Sequence, residues 1–285
     1  MADIQKLERV ASQVRRDIIR EVYLSQSGHP GGSLGCADLI VALYFEIMKH
    51  DPGFNMTGAD EDVFFLSNGH ISPVWYSVLA RAGYFPTEEL KTFRELNTRL
   101  QGHPTTHEHL PGIRVASGSL GQGVSVAAGL ALSKKMNSDD RTVFVLTGDG
   151  EQQEGQIWEA ALFAPHNKLD NLVVITDLNG QQIDGPTEKV MDMGNLGEKW
   201  EAFGWDVVHM DGNNMAEVVK TLKEVVAKEK NGKPVCIMMK TAMGKGVDFM
   251  EGTHHWHGKA PNEEQAKSAL SQLEETLGDF PAEGI

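Results

Sequence analysis

The 285-residue sequence predicts an α/β fold, a doubly wound and mostly parallel sheet flanked by helices. Short runs rich in β-branched or aromatic residues alternate with helix-period segments, and strands separated by helices pair in parallel through right-handed crossovers. The runs VFVLT (143–147) and LVVIT (172–176) are also apolar almost without a break, as expected of strands covered on both faces. No repeat, low-complexity block or Pro/Ser linker cuts the chain, so residues 1–285 read as a single domain.

Taken in order, Ile4, Leu7, Val10, Val14, Ile18 and Val22 recur every three or four residues and mark one stripe of an N-terminal amphipathic helix. Residues 36–48 are apolar almost all round, as in a helix buried on most faces. Strands are expected at 63–66, 143–147, 172–176, 205–209 and 235–239, and helices at about 121–135, 156–166, 193–203 and 215–230. Ala266, Leu270 and Leu273 mark a terminal helix after Pro261, with the last few residues frayed.

Composition excludes several functions. The 40% hydrophobic content supports a sizeable core, and 26 basic against 40 acidic residues leave a formal charge of −14, which disfavours a nucleic-acid partner. The charged N-terminus is unlike a signal peptide, and no apolar run reaches the roughly 18 residues of a membrane helix. Two cysteines, Cys36 and Cys236, sit among apolar neighbours and read as reduced, packed thiols. A cytoplasmic protein without a membrane partner is expected.

The chemistry concentrates at two strand ends. VFVLT runs into GDGEQQEG, which places Asp149 between Gly148 and Gly150 at the edge where open α/β sheets bind ligands. Glycines let a phosphate approach the backbone, and a carboxylate can hold the divalent cation that neutralises it. Alone, GDG reads equally well as a turn with a capping Asp. Asn179, in DLNGQQIDG after the next strand, follows Asp149 by about one βαβ unit. Adjacent parallel strands would bring both oxygen ligands to one edge, and such a donor set suits octahedral Mg²⁺.

Seven blocks now fix a resemblance: SGHPGGSLG (27–35), LSNGH (66–70), QGHP (101–104), LPGIRVASGSLGQG (110–123), GDGEQQEGQIWEA (148–160), DLNGQQIDG (177–185) and WHGK (256–259). In this order they resemble the N-terminal, thiamine-diphosphate-binding part of the transketolase family. The resemblance implies that Asp149, the Asn179 side chain and the Gln181 carbonyl hold Mg²⁺ (or Ca²⁺ or Mn²⁺). It implies that Gly148 and Gly150 meet the diphosphate, that His70 and His257 lie near it, and that Gly118 and Leu120 flank the aminopyrimidine. His29, His103 and His257 are similar to the family's substrate-channel histidines, and imidazole, with its ordinary pKa of about 6.5, can both donate and accept protons near neutrality. Ser119 and Gln181 stand where many members carry proline and an aliphatic residue. Glu154, and less so Glu159, resemble glutamates of a subunit-interface network. His107, His109, His254 and His255 receive no role, and zinc binding by the two histidine clusters is disfavoured because both lie in Gly- or Pro-bounded loops.

The implied activity is transfer of a two-carbon glycolaldehyde unit from a ketose or ketose phosphate to an aldose or aldose phosphate. In the family, the glutamate that activates the pyrimidine lies in a second domain, followed by a third. The resemblance therefore implies a C-terminal partner subunit carrying the pyrimidine-binding and C-terminal domains, in a heterotetramer with two-fold symmetry. The alternatives are the α chain of a 2-oxo acid dehydrogenase, a deoxyxylulose-phosphate synthase relative, and a non-catalytic binding module. A phosphatase with Asp149 as nucleophile is weaker, because GDG lacks a second nearby Asp for acid–base work.

Overall fold

The computed structural model describes residues 2–282. The chain opens with α1 (Ile4–Ser25), capped by Asp3, whose carboxylate accepts from the Lys6 N–H. Next come α2 (Pro30–Gly35) and α3 (Ala37–Ala42), which runs on as a π-helical turn, Leu43–Ile47. Residues 30–43 are fully buried, in keeping with an all-round apolar helix, although Cys36 divides it in two and its last turn is wider than α-helical.

Strand β1 (Val63–Leu66) and helix α4 (Ser72–Arg81) follow, then α5 (Gln122–Met136), β2 (Val143–Gly148), α6 (Gly155–His166) and β3 (Leu172–Leu178). A small antiparallel pair, β4 (Gln181–Gln182) and β5 (Gly185–Pro186), leads to α7 (Thr187–Met191) and α8 (Leu196–Ala202). The chain then forms β6 (Asp206–Asp211), α9 (Met215–Ala227), β7 (Val235–Lys240) and α10 (Glu263–Gln272). Each of the five expected strands is present. Helix α8 is shorter than the expected 193–203, because Asn195 caps it by accepting from the Glu198 N–H.

The five long strands form one parallel sheet in the order β1-β2-β3-β7-β6. Alternation along each strand sends side chains to two separate cores. Phe144 and Leu146 of β2 join Val173, Ile175, Ile237 and Met239 beneath α1, α3, α4 and α9. Val143 and Val145 face the other way, with Val174, Cys236 and Met238, beneath α5, α6 and α8. Each large apolar side chain buried in this way contributes about 1.5–3 kcal/mol. Both cysteines are buried and free.

Helix α4 was not foreseen; it is buried along nearly its whole length, and Trp75 within it donates to the Tyr44 hydroxyl at 2.8 Å. Beyond α10 the described chain is not frayed. Phe280 is buried and its carbonyl accepts from Arg20, while Asp279 pairs with Arg16 at 2.6 Å. Residues 283–285, on which part of the expected fraying falls, lie outside the described residues. Among the described residues no helix is long and apolar enough to cross a membrane.

Candidate active site

The register of β2 against β3 places Thr147 beside Thr176 and Gly148 beside Asp177. One residue further on, the Asp149 N–H donates to the Asp177 carbonyl at 3.1 Å. Parallel pairing thus carries both loop tips to one sheet edge. Asp149 joins them: its Oδ2 accepts from the Gly180 N–H at 2.7 Å and from the Thr187 hydroxyl at 3.3 Å. Its Oδ1 accepts from the Gly150 N–H at 2.7 Å, so this N–H, expected to face a diphosphate, points to the carboxylate here. Gly180 has φ +71°, which lets the turn close without a side chain.

Asn179 is fixed from both ends, its amide donating to Asp177 Oδ2 at 2.7 Å and its Oδ1 accepting from the Gln181 N–H at 2.9 Å. Asp177 is buried and also accepts from Thr241. Two carboxylates therefore sit close together out of water. Burial and then Asp177 push Asp149 up to about 7, against the opposing hydrogen bonds from Gly180, Gly150 and Thr187.

A cavity of about 320 Å³ opens beside these tips. His29, His70, Gly118, Leu120, Gly148, Asp149, Gly150, Glu154, Asn179, Gln181 and His257 all line it. His103 does not; it stands at the rim, with its ring centroid 6.4 Å from that of His29. A Cβ on Gly118, which has φ +121°, would come within 2.7 Å of the His103 ring, so glycine is required there.

Three of the histidines form one cluster. The rings of His70 and His257 stack with centroids 5.0 Å apart, and His29 meets them edge-on at 5.1 and 5.6 Å. Burial, then His257, Arg94 and His103, push His29 down to about 4. Burial followed by His257, His29 and His103 holds His70 well below the ordinary value, burial and Arg94 lower His103, and burial lowers His257. All four imidazoles are neutral at pH 7. The Nδ1 atoms of His29 and His257 and the Asn68 Oδ1 are buried without hydrogen-bond partners. Such atoms are costly to leave unpaired, and here they mark where a polar ligand belongs.

The depressed histidines have a definite consequence for stability. Below pH 6.5 the unfolded chain takes up protons that the folded cluster resists, so this contribution is present above about pH 6.5 and is lost as pH falls toward about 4. Asp149, raised to about 7, acts with the opposite sign, its contribution fading as pH rises through that value. Melting temperatures of the chain and of His29→Asn, measured from pH 7 to pH 4, should converge as the pH falls. Parallel curves would show that His29 is not held neutral.

Glu154 was expected to be the functional carboxylate after GDG. It lines the cavity but is exposed, at the start of α6. The neighbouring Glu151, which sequence reasoning passed over, is buried and accepts from Ser67 Oγ, the Gly121 N–H at 2.8 Å and the Gly148 N–H at 3.0 Å. Gln152 is buried as well, donating to Thr147 Oγ1 and accepting from Trp200. Asp177 and Thr187 were likewise missed; Asp177 alone had a signal, two residues before Asn179 in DLN. Glu159 is exposed, like His107, His109 and His255, and His254 packs only against His255, at 4.3 Å.

Residues 7–281 match the family described as "Transketolase, thiamine diphosphate binding domain". The chain belongs to the transketolase family. Among its transketolase relatives, one of the two subunits named for an apulose-4-phosphate transketolase, from Phocaeicola vulgatus, is 39% identical over 274 residues, covering 96% of each chain. The 6-deoxy-6-sulfo-D-fructose transketolase subunit SqwG of a Clostridium species is 41% identical over 268 residues, covering 94% of this chain and 96% of that one. The crystal structure of transketolase from Campylobacter jejuni superimposes with a TM-score of 0.90 at 34% identity, over 98% of this chain but only 44% of that one. The chain thus spans less than half of that solved transketolase while matching the subunit-type relatives almost end to end.

The site's groups fit the cofactor of this transketolase domain. The carboxylate and amide oxygens of Asp149 and Asn179 form a hard-oxygen donor set at one edge, glycines leave the cavity floor open, and unpaired imidazole nitrogens face it.

Proposed function

We propose that this chain is the thiamine-diphosphate-binding subunit of a two-chain transketolase. The observation that carries the reading is the end-to-end match, 96% of each chain, with a relative named as a transketolase subunit. Residues 1–285 then form a single diphosphate-binding domain. A partner subunit carries the pyrimidine-binding and C-terminal domains, and two copies of each chain form a cytoplasmic heterotetramer. Relatives of nearly equal identity are named for different sugars. The substrates are therefore given by class alone: a ketose or ketose phosphate as donor and an aldose or aldose phosphate as acceptor.

In this reading Asp149, the Asn179 amide oxygen and the Gln181 carbonyl hold Mg²⁺, or Ca²⁺ or Mn²⁺ in its place. Gly148 and Gly150 let a diphosphate lie close to the backbone. Gly118 and Leu120 flank the pyrimidine ring. Thiamine diphosphate supplies the electron sink that no side chain offers for breaking the bond between C2 and C3 of the ketose. His29 and His257 turn unpaired Nδ1 atoms toward the sugar, where a neutral imidazole takes a proton from a hydroxyl and later returns it. His70 packs behind them, and His103 meets the substrate at the rim. Glu154, exposed at the cavity edge, faces the subunit interface.

The test is reconstitution. The chain alone, given thiamine diphosphate and Mg²⁺, should show no ketol transfer, and adding the partner subunit should restore it by at least about 100-fold, since half of an oriented site supplies little rate enhancement. Turnover by the single chain would refute the two-chain reading. Pyruvate decarboxylation by the assembled pair would point to the 2-oxo acid or deoxyxylulose branch, and absence of cofactor binding in calorimetry with both chains would point to a binding module.

A further inference from the structure

Two loops of the same form, SGHP (27–30) and QGHP (101–104), carry His29 and His103. Both rest on one dipeptide, Phe93-Arg94. A Cβ on Gly28 would lie 3.1 Å from the Phe93 ring, and a Cβ on Gly102 would lie 2.6 Å from the Arg94 guanidinium carbon. Each glycine is the only residue that allows its loop to sit so low. Arg94 also reaches both loops with hydrogen bonds, from Nη1 to Ser27 Oγ at 3.0 Å and from Nη2 toward the Gly102 carbonyl at 3.5 Å.

This arginine is unusual in having no counter-ion. Among the described residues no carboxylate pairs with it, and its Nε is buried without a hydrogen-bond partner. Its backbone is left-handed, with φ +62°, and its N–H closes the 94–100 loop by donating to the Leu100 carbonyl at 3.0 Å. A non-glycine residue held in this conformation costs about 1 kcal/mol or more, so the surrounding contacts fix the position firmly. A purely structural arginine normally lies against a carboxylate, as Arg81 lies against Asp17 at 2.8 Å.

We propose that Arg94 is a positioning residue for ketol transfer, tying the two GHP loops together so that His29 and His103 face the sugar at a fixed separation. This rests on the transketolase reading of the site. It does not make Arg94 a catalytic residue, because Arg94 does not line the cavity. The groups facing His29 are His70, His103, His257 and Arg94, and Arg94 is the permanent cation among them. Its charge adds to burial in keeping both imidazoles unprotonated. An acidic partner would cancel that effect, which gives the missing counter-ion a physical purpose.

Geometry and charge are separable here, and two variants divide them. Arg94→Lys keeps the charge but loses the planar fork; Arg94→Met keeps the apolar stem and loses both. In the assembled enzyme, kcat should fall about 10- to 100-fold in each, the size of effect expected when a group remote from the chemistry lets reacting groups drift, while the affinity for thiamine diphosphate stays within about twofold of wild type. Loss of the positive charge raises the histidine pKa values. The acid limb of the pH profile should therefore move up by about half a pH unit or more in Arg94→Met and stay in place in Arg94→Lys. NMR titration of the His29 and His103 ring signals in the purified chain should show the same pattern without any turnover. That arm reports on Arg94 even if the assembled pair proves not to be a transketolase. Loss of activity with both histidine titrations unmoved in Arg94→Met would reduce Arg94 to a fold element and overturn the proposal. If Arg94→Met fails to fold, Arg94→Gln takes its place in the titration with the same two outcomes.

Discussion

Asp149→Ala should abolish Mg²⁺-dependent retention of thiamine diphosphate in the assembled enzyme, with loss of affinity beyond the roughly 100-fold that outer-shell partners of metal ligands reach. Two functions disappear together. The substitution removes the carboxylate expected to ligate the ion, and it unties the second loop, because the Gly180 N–H and the Thr187 hydroxyl lose their common acceptor. Asp149→Asn keeps one oxygen for those donors, so it should preserve more of the fold and still lose the ion's charge partner. Calorimetric titration of both variants with cofactor, in the presence and absence of Mg²⁺, separates the two effects. Wild-type retention by either variant would remove Asp149 from the site.

Glu151→Ala should cause the largest loss of stability of any single change in the site framework. Three donors, Ser67 Oγ and the N–H groups of Gly121 and Gly148, converge on this buried carboxylate. Leaving a buried donor unpaired costs about 1–3 kcal/mol, and for three coupled donors a total of about 3–5 kcal/mol is expected because such losses are not additive. With roughly 2–4 °C in Tm for each kcal/mol, melting should occur on the order of 10 °C lower. Glu151→Gln keeps acceptor oxygen for part of this set and should lose less. Thermal and urea melts of the purified chain decide the matter; a drop in Tm below about 2 °C would show that water readily replaces the carboxylate.

The pairing of Asp149 with Asn179 could be read from sequence because it depends on local arithmetic alone. One strand–helix–strand unit separates them, and parallel pairing does the rest. Glu151 could not be read in this way. Its burial depends on the short 3₁₀ turn Gly150–Gln153, which turns it toward Ser67 and Gly121, residues 84 and 30 positions away. Nothing in GDGEQQEG distinguishes a buried glutamate from an exposed one, so the resemblance directed attention to Glu154 and Glu159 instead. Helix α4 escaped for a related reason. SPVWYSVLAR is buried nearly all round and has no polar face to set a period. The long strands were legible because burial on both faces writes itself as uninterrupted apolarity. Arg94 lay in no recognised block, and its role rests on two loops that meet only in three dimensions.

The hydrogen bonds that join Asp149 to Gly180 and Thr187 exist in the chain without any ligand. Under the proposed ligation, an arriving cation would find its oxygen donors already mutually braced. A braced cage cannot expand to suit a larger ion as a flexible one can, and Mg²⁺, unlike Ca²⁺, demands short bonds in near-ideal octahedral geometry. Ionic radius would then govern selectivity at this edge, and the stiffness of two turns would choose between the competing ions.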